Sequence, residues 1–304
     1  MRKPDFFIVG APKCGTTALS RYLREHPNVF LSVPKEPHHF NTDHPRYRSF
    51  TTVEAYAALF EGATDEHTAV GEASTWYLYS HAAAAAIHAF DPNARMIVML
   101  RDPVDLVHSL HSQMLHSFDE DEPDFETAWR LQDARAGGER IPDLCREPSM
   151  LQYREVGRLG EQVERLLEVM PTEQLHFVLF DDFVADTAAA YQTVLRFLGL
   201  TSDDRPTFER VNPNTRRRTG ALSRLIERPP DALLRAGRVA RRVLGVDLGR
   251  LWTIMRRSSR TISSRQVRRA PLDPELREQI AAGFRDDVRL LESLIDRDLS
   301  NWLR

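Results

Sequence analysis

With 304 residues, 42% of them hydrophobic, the chain is long enough for one large α/β domain, alone or with a smaller appendage. A formal net charge of −3 gives no overall field of either sign, and no nucleic-acid partner is expected. Two cysteines, Cys14 and Cys145, supply neither a disulfide framework nor a metal-ligand spacing.

Phe6 to Val9 is a short apolar run ending at Gly10 and predicts a buried parallel strand. It is too short for a signal sequence or a membrane span, so a cytoplasmic location is expected. Thr16 to His26 places Ala18, Leu19, Tyr22 and Leu23 at helical spacing and stops before Pro27. Val29 to Leu31 predicts a strand, Ala82 to Phe90 an Ala-rich helix, and Arg95 to Leu100 a strong strand. Pro103 then opens a helix at its first turn. Helix at 162–170, strand at 175–180, helix at 188–198 ending at Gly199, and a long amphipathic helix at 275–295 complete the series. Strands alternating with helices predict an α/β fold: a central parallel sheet flanked by helices on both faces.

Charge is unevenly spread. Six acids between Asp119 and Glu126, with the stretch 134–149, predict a long surface loop or irregular insertion. Between Arg205 and Arg269 stand eighteen arginines against four acids, a surface suited to anions. Within it Leu233, Ala236, Ala240, Val243 and Leu244 share a helical face that Arg235, Arg238, Arg241 and Arg242 largely avoid. Such a helix packs on the domain with its arginines in water, or lies on an anionic bilayer through 230–260. The basic segment at about 213–270 therefore reads as a lid or acceptor-side appendage of a single domain spanning 1–304.

Three segments carry chemistry. Gly10-Ala11-Pro12-Lys13-Cys14-Gly15-Thr16-Thr17 has the length and glycine spacing of a Walker A loop between strand and helix. Successive N–H groups and the helix N-terminus make a phosphate cradle. Thr16 stands where the nucleotide-triphosphate enzymes place Lys, and the cation is Lys13 instead. That displacement disfavours kinase chemistry with Mg²⁺ and leaves a cradle for one 5′-phosphate. Next, Arg101 follows the strand 95–100 at the C-terminal end where α/β sheets bind ligands, and Ser109 lies about two helical turns on. A guanidinium and a hydroxyl there can hold a phosphate monoester. Finally, Pro34-Lys35-Glu36-Pro37-His38-His39-Phe40 gathers a carboxylate and imidazoles on a proline-stiffened loop, as general-base catalysis needs. A third metal ligand at recognisable spacing is missing, which argues against zinc.

Together these segments resemble the 3′-phosphoadenosine 5′-phosphosulfate (PAPS)-dependent sulfotransferases, most closely the heparan-sulfate-type and bacterial carbohydrate or lipid branch. The likeness runs over roughly residues 5–200. It includes Gly71-Glu72-Ala73-Ser74 before Tyr77 and the tail from Leu294 to Trp302. The resemblance implies a P-loop-NTPase-like fold, PAPS as co-substrate and no metal. It implies Lys13 on the bridging oxygen of the leaving 3′,5′-diphosphoadenosine. Cys14, Gly15, Thr16 and Thr17 would lie around the 5′-phosphate, and Arg101 with Ser109 on the 3′-phosphate. Glu36 would be the general base, and His38 would position the acceptor or share that role. Any of Arg216, Arg217 and Arg218 would close over the nucleotide. Ala73 stands where the glycan branch often has Lys, and Asn41 where an Asp often closes the histidine loop; both differences argue against a sulfated-glycan polymer as acceptor. A hydroxylated metabolite, glycan or lipid-linked acceptor is expected. The alternatives are a degenerate P-loop kinase and a non-catalytic nucleotide-binding protein.

Overall fold

A computed structural model describes residues 2–209, 215–217, 264–266 and 271–303. Its core is a five-stranded parallel sheet: β1 (Phe6–Gly10), β2 (Val29–Leu31), β3 (Ala69–Ala73), β4 (Arg95–Leu100) and β5 (Leu175–Leu179), in the order β2-β3-β1-β4-β5. Every residue of β1 and β3 is buried, as are five of the six in β4. Successive side chains of a strand point to opposite faces, so burial without alternation means that helices cover the sheet on both sides.

The helices in chain order are α1 (Thr16–Arg24), α2 (Val53–Ala57), α3 (Ala83–Phe90), α4 (Pro103–Ser117), α5 (Phe125–Arg130), α6 (Gln132–Ala136), α7 (Tyr153–Gly157), α8 (Leu159–Leu167), α9 (Phe180–Ala185), α10 (Thr187–Phe197) and α11 (Pro274–Ile295). Asp102 caps α4, its Oδ1 accepting from the amides of Val104 and Asp105 at 2.8 and 3.4 Å, with Pro103 in the first turn. The C-terminal α11 packs on α8 and α4. There Asp287 accepts from the Gly160 and Glu161 amides, both at 2.9 Å, and so serves the open N-terminus of α8 from a distant part of the chain. The tail docks on α9, where the Trp302 indole N–H donates to Asp181 at 2.9 Å. Two short strands, β6 (Thr215–Arg217) and β7 (Ser264–Gln266), pair antiparallel, and β6 lies against α4. Among the described residues no helix is long and apolar enough to cross a membrane. The segment 230–260 lies outside the described residues.

Two expectations change. The acidic run is irregular up to α5, with Asp121 and Asp124 exposed, but its first two acids do not face solvent. Asp119 and Glu120 are each 2% exposed, and α5 and α6 follow directly. Glu120 and Arg135 form a bidentate pair at 2.6 and 2.7 Å, and Asp119 pairs with Arg146 at 2.6 Å. The run reads as solvated because its counter-ions lie 15 and 27 residues downstream. Strand β3 was not predicted either, because a buried glutamate inside Ala-Val-Gly-Glu-Ala breaks the apolar pattern; its charge is met by hydroxyls supplied from elsewhere.

Candidate active site

The phosphate loop, the Glu36–His38 loop and Arg101 follow β1, β2 and β4, three parallel strands, and so gather at one edge of the sheet. Ligands of open α/β sheets bind at that edge. Hydrogen bonds and close contacts join the three segments. The Ala11 amide donates to the Met99 carbonyl at 2.7 Å, and Arg101 Nη1 donates to the Lys13 carbonyl at 3.3 Å. Thr75 bridges the other pair: its hydroxyl donates to Glu36 Oε1 at 3.2 Å, and its carbonyl stands 3.1 Å from where a Cβ on Gly10 would lie.

Gly15 begins α1 with φ +89, a left-handed conformation that costs side-chain-bearing residues energy. A Cβ there would lie 3.1 Å from the Phe180 ring and 3.3 Å from Met99 Cε. Among the described residues no side chain caps α1, so its first N–H groups, including those of Thr16 and Thr17, are suited to an anion. Cys14 is fully buried, burial pushes its thiol up to about 12, and the thiol donates within the loop to the Pro12 carbonyl at 3.4 Å. Phe180 also lies under Arg101, whose guanidinium carbon sits 4.5 Å from the ring centre.

Arg101 is paired with Asp105 at 3.0 Å, one turn along α4. Arg277, from the start of α11, holds Asp105 at 2.9 Å and Asp102 at 2.6 Å. The Asp105 carboxylate is thereby shared between Arg101 and Arg277, while Asp102 pairs with Arg277. Ser109 lies one turn beyond Asp105 and is 4% exposed. Of the basic trio, Arg216 and Arg217 lie on β6 beside α4, and Arg218 falls outside the described residues.

In the acid–base loop, Lys35 Nζ lies 2.9 Å from Glu36 Oε1, and His38 Nε2 lies 3.6 Å from Glu36 Oε2. Burial opposes charge on Glu36, but Lys35 and His38 overcome it and hold the carboxyl well below the usual range. Both His38 ring nitrogens are buried without a hydrogen-bond partner. The ring packs edge-on against Tyr47 and Tyr77. Arg146 donates to the Tyr47 hydroxyl at 2.9 Å and stacks on its ring at 4.2 Å, while Asp119 fixes Arg146. The acidic run thus braces the wall behind His38. Among the described residues, seven non-glycine positions have positive φ, and Lys13, Glu36 and His38 are three of them. Each such conformation costs roughly 1–3 kcal/mol and tends to persist where side-chain placement matters.

The model of the sulfotransferase domain matches residues 3–218. The chain belongs to the sulfotransferase family. A solved bacterial sulfotransferase from Alicyclobacillus acidocaldarius aligns over 100% of both chains with a TM-score of 0.73 and 27% identity. Human carbohydrate sulfotransferase 15 is 35% identical, over 35% of this chain and 26% of that protein. Mouse heparan sulfate glucosamine 3-O-sulfotransferase 3A1 is 32% identical, over 65% of this chain and 46% of its own length. The chain therefore spans between a quarter and a half of these curated relatives.

Within this sulfotransferase fold, sequence reasoning missed Thr75, Asp105 and Arg277. Thr75 follows directly on the Glu72–Ser74 motif, which is the signal that could have found it. Asp105 sits one helical turn after Arg101, a spacing at which an ion pair is expected. Arg277 gives no local signal. Ala73, at the position of the glycan branch's lysine, is buried, and its carbonyl accepts from the Glu36 amide at 2.9 Å.

Proposed function

We propose that this chain transfers a sulfuryl group from PAPS to a hydroxyl, less favourably an amine, of a small-molecule, glycan or lipid-linked acceptor, without a metal. One observation carries the reading: Lys13, Arg101 and the Glu36–His38 pair converge on one sheet edge beside an uncapped helix N-terminus. The N–H groups of Gly15, Thr16 and Thr17 would hold the 5′-phosphate. Arg101 and Ser109, with Arg216, Arg217 or Arg218, would take the 3′-phosphate. The acceptor oxygen attacks sulfur as the bond from sulfur to the phosphate oxygen breaks in line. Its proton passes to Glu36, and the electron pair leaves on the phosphate oxygen, where Lys13 meets the developing charge.

His38, with Nε2 3.6 Å from Glu36 and Nδ1 buried without a hydrogen-bond partner among the described residues, suits contact with the acceptor. The Lys35 ammonium keeps Glu36 ionised but also weakens it as a base, so drawing Lys35 away would strengthen it. Curated relatives named for carbohydrate and glucosamine 3-O sulfation favour a hydroxyl acceptor. Ala73 and the Asp119-neutralised Arg146 leave fewer cations for a polyanionic glycan. We also propose one domain over 1–304, working in the cytoplasm or at a membrane surface through 230–260.

The test is Glu36→Gln under saturating PAPS. Turnover should fall on the order of 10²–10⁴-fold, as for loss of a general base. The affinity for 3′,5′-diphosphoadenosine, read by calorimetry, should stay within about threefold, because the phosphate anchors lie on other strands. Normal turnover would remove Glu36 from the mechanism. A strict requirement for Mg²⁺ in either assay would return the site to kinase chemistry.

A further inference from the structure

Glu72 is wholly buried in the middle of the sheet, on the strand between β1 and β2, and among the described residues no cation is in hydrogen-bond contact with it. A carboxylate there is costly unless its lone pairs are met. Three hydroxyls meet them: Tyr77 at 2.8 Å and Tyr56 at 3.0 Å on Oε1, and Ser74 at 2.7 Å on Oε2. Burial pushes Glu72 up to about 7, and these three donors limit the rise.

The hydroxyls matter for what lies beyond them. Once ionised, Glu72 can only accept, so each O–H then points inward at it. Each hydroxyl oxygen then presents its lone pairs outward. Ser74 Oγ accepts from the His38 amide at 3.1 Å. Tyr77 Oη accepts from the His39 amide at 2.9 Å and the Phe40 amide at 3.3 Å. Among the described residues no loop amide donates to Tyr56 Oη, although its ring stacks on His39 at 4.3 Å. Three consecutive N–H groups of the loop therefore rest on two hydroxyls whose direction Glu72 sets. The residues so held begin two positions after Glu36, at His38, and both Glu36 and His38 are in the left-handed region.

We propose that Glu72 is a positioning residue, which fixes Ser74 and Tyr77 as acceptors and so holds the Glu36–His38 segment in its strained, working conformation. The inference rests on the reading of Glu36 as the base. A glutamine at 72 would keep the shape, but its amide N–H₂ would donate where a hydroxyl now donates, leaving one O–H without an acceptor.

The two tyrosines separate positioning from plain stability. Tyr77→Phe and Tyr56→Phe each remove one donor to Glu72 and keep the ring, but of the two only Tyr77→Phe releases loop amides, those of His39 and Phe40. We expect Tyr77→Phe to lower kcat about 10²-fold, the scale of an ångström-level misplacement, with diphosphoadenosine affinity within about threefold. Tyr56→Phe should stay within about threefold in kcat despite a comparable drop in Tm. In the Glu36→Gln background, Tyr77→Phe should cost less than about threefold in kcat, because there is no base left to misplace, while its Tm loss persists. Equal kcat losses for the two tyrosine variants, or losses at Tyr77 and Glu36 that multiply, would overturn the proposal. Failure of the base reading shows separately, as normal turnover of Glu36→Gln alone; the tyrosine comparison still stands in that case.

Discussion

Replacing Arg135 by Met strips the counter-ion from Glu120 in a place that water does not reach. The two side chains are 1% and 0% exposed, and both guanidinium terminal nitrogens bond the carboxylate, at 2.6 and 2.7 Å. What remains on Glu120 is the Tyr153 hydroxyl at 2.8 Å and the amides of Asp121 and Glu122, both at 3.0 Å. Breaking a buried pair from one side costs about 3–5 kcal/mol, out of a total stability of about 5–15 kcal/mol. The sign with pH follows from the two states. In the parent protein burial opposes the charge, but Arg135 and the amides prevail and lower the Glu120 pKa below its ordinary 4.5. That stabilisation is present above the unfolded pKa and is lost as pH falls through the folded one. In Arg135→Met burial prevails and the pKa rises above 4.5, so the folded state takes up a proton that the unfolded state does not. Stability of the variant is therefore regained as pH falls. Urea unfolding near pH 7 and pH 5 should give a difference from the parent of about 3–5 kcal/mol at the higher pH and a clearly smaller one at the lower. Adding Glu120→Gln to Arg135→Met should recover part of the loss near pH 7. A difference below about 1 kcal/mol, or one equal at both pH values, would refute the assignment of a buried charged pair.

Two more outcomes test the nucleotide side. Gly15→Ala combines a left-handed backbone, costing about 1–2 kcal/mol, with crowding against Phe180 and Met99 that adds about 1–3 kcal/mol. Calorimetry should show a lower Tm, and diphosphoadenosine binding should weaken at least tenfold because Phe180 also supports Arg101; unchanged binding would separate Gly15 from the cradle. Arg101→Ala should weaken PAPS binding by roughly 1.5–3 kcal/mol, the scale of a hydrogen bond to a charged group. Adenosine 5′-phosphosulfate, which lacks the 3′-phosphate, should lose much less; equal losses would make Arg101 a brace for the Lys13 carbonyl alone.

The sequence by itself determined the parallel sheet, because β1 and β4 are uninterrupted apolar runs that are buried on both faces. It also determined the strand-to-helix loop at 10–17, because glycine spacing before a helix is a local property of the chain, and it placed Glu36, His38 and Arg101 just after their strands. Tertiary structure decided whatever depends on partners far along the chain. The acids at Asp119 and Glu120 read as solvent-facing until Arg146 and Arg135 come into reach. Glu72 breaks a strand pattern until Ser74, Tyr56 and Tyr77 surround it. Arg277 has no role on its own helix and acquires one only where α11 crosses α4, beside Asp102 and Asp105. Hydrophobic periodicity is written in neighbouring residues, whereas the desolvation of a charge is settled by whichever groups the fold brings against it. That is why the sheet and its loops were legible in the chain and the buried ionic and hydroxyl networks behind them were not.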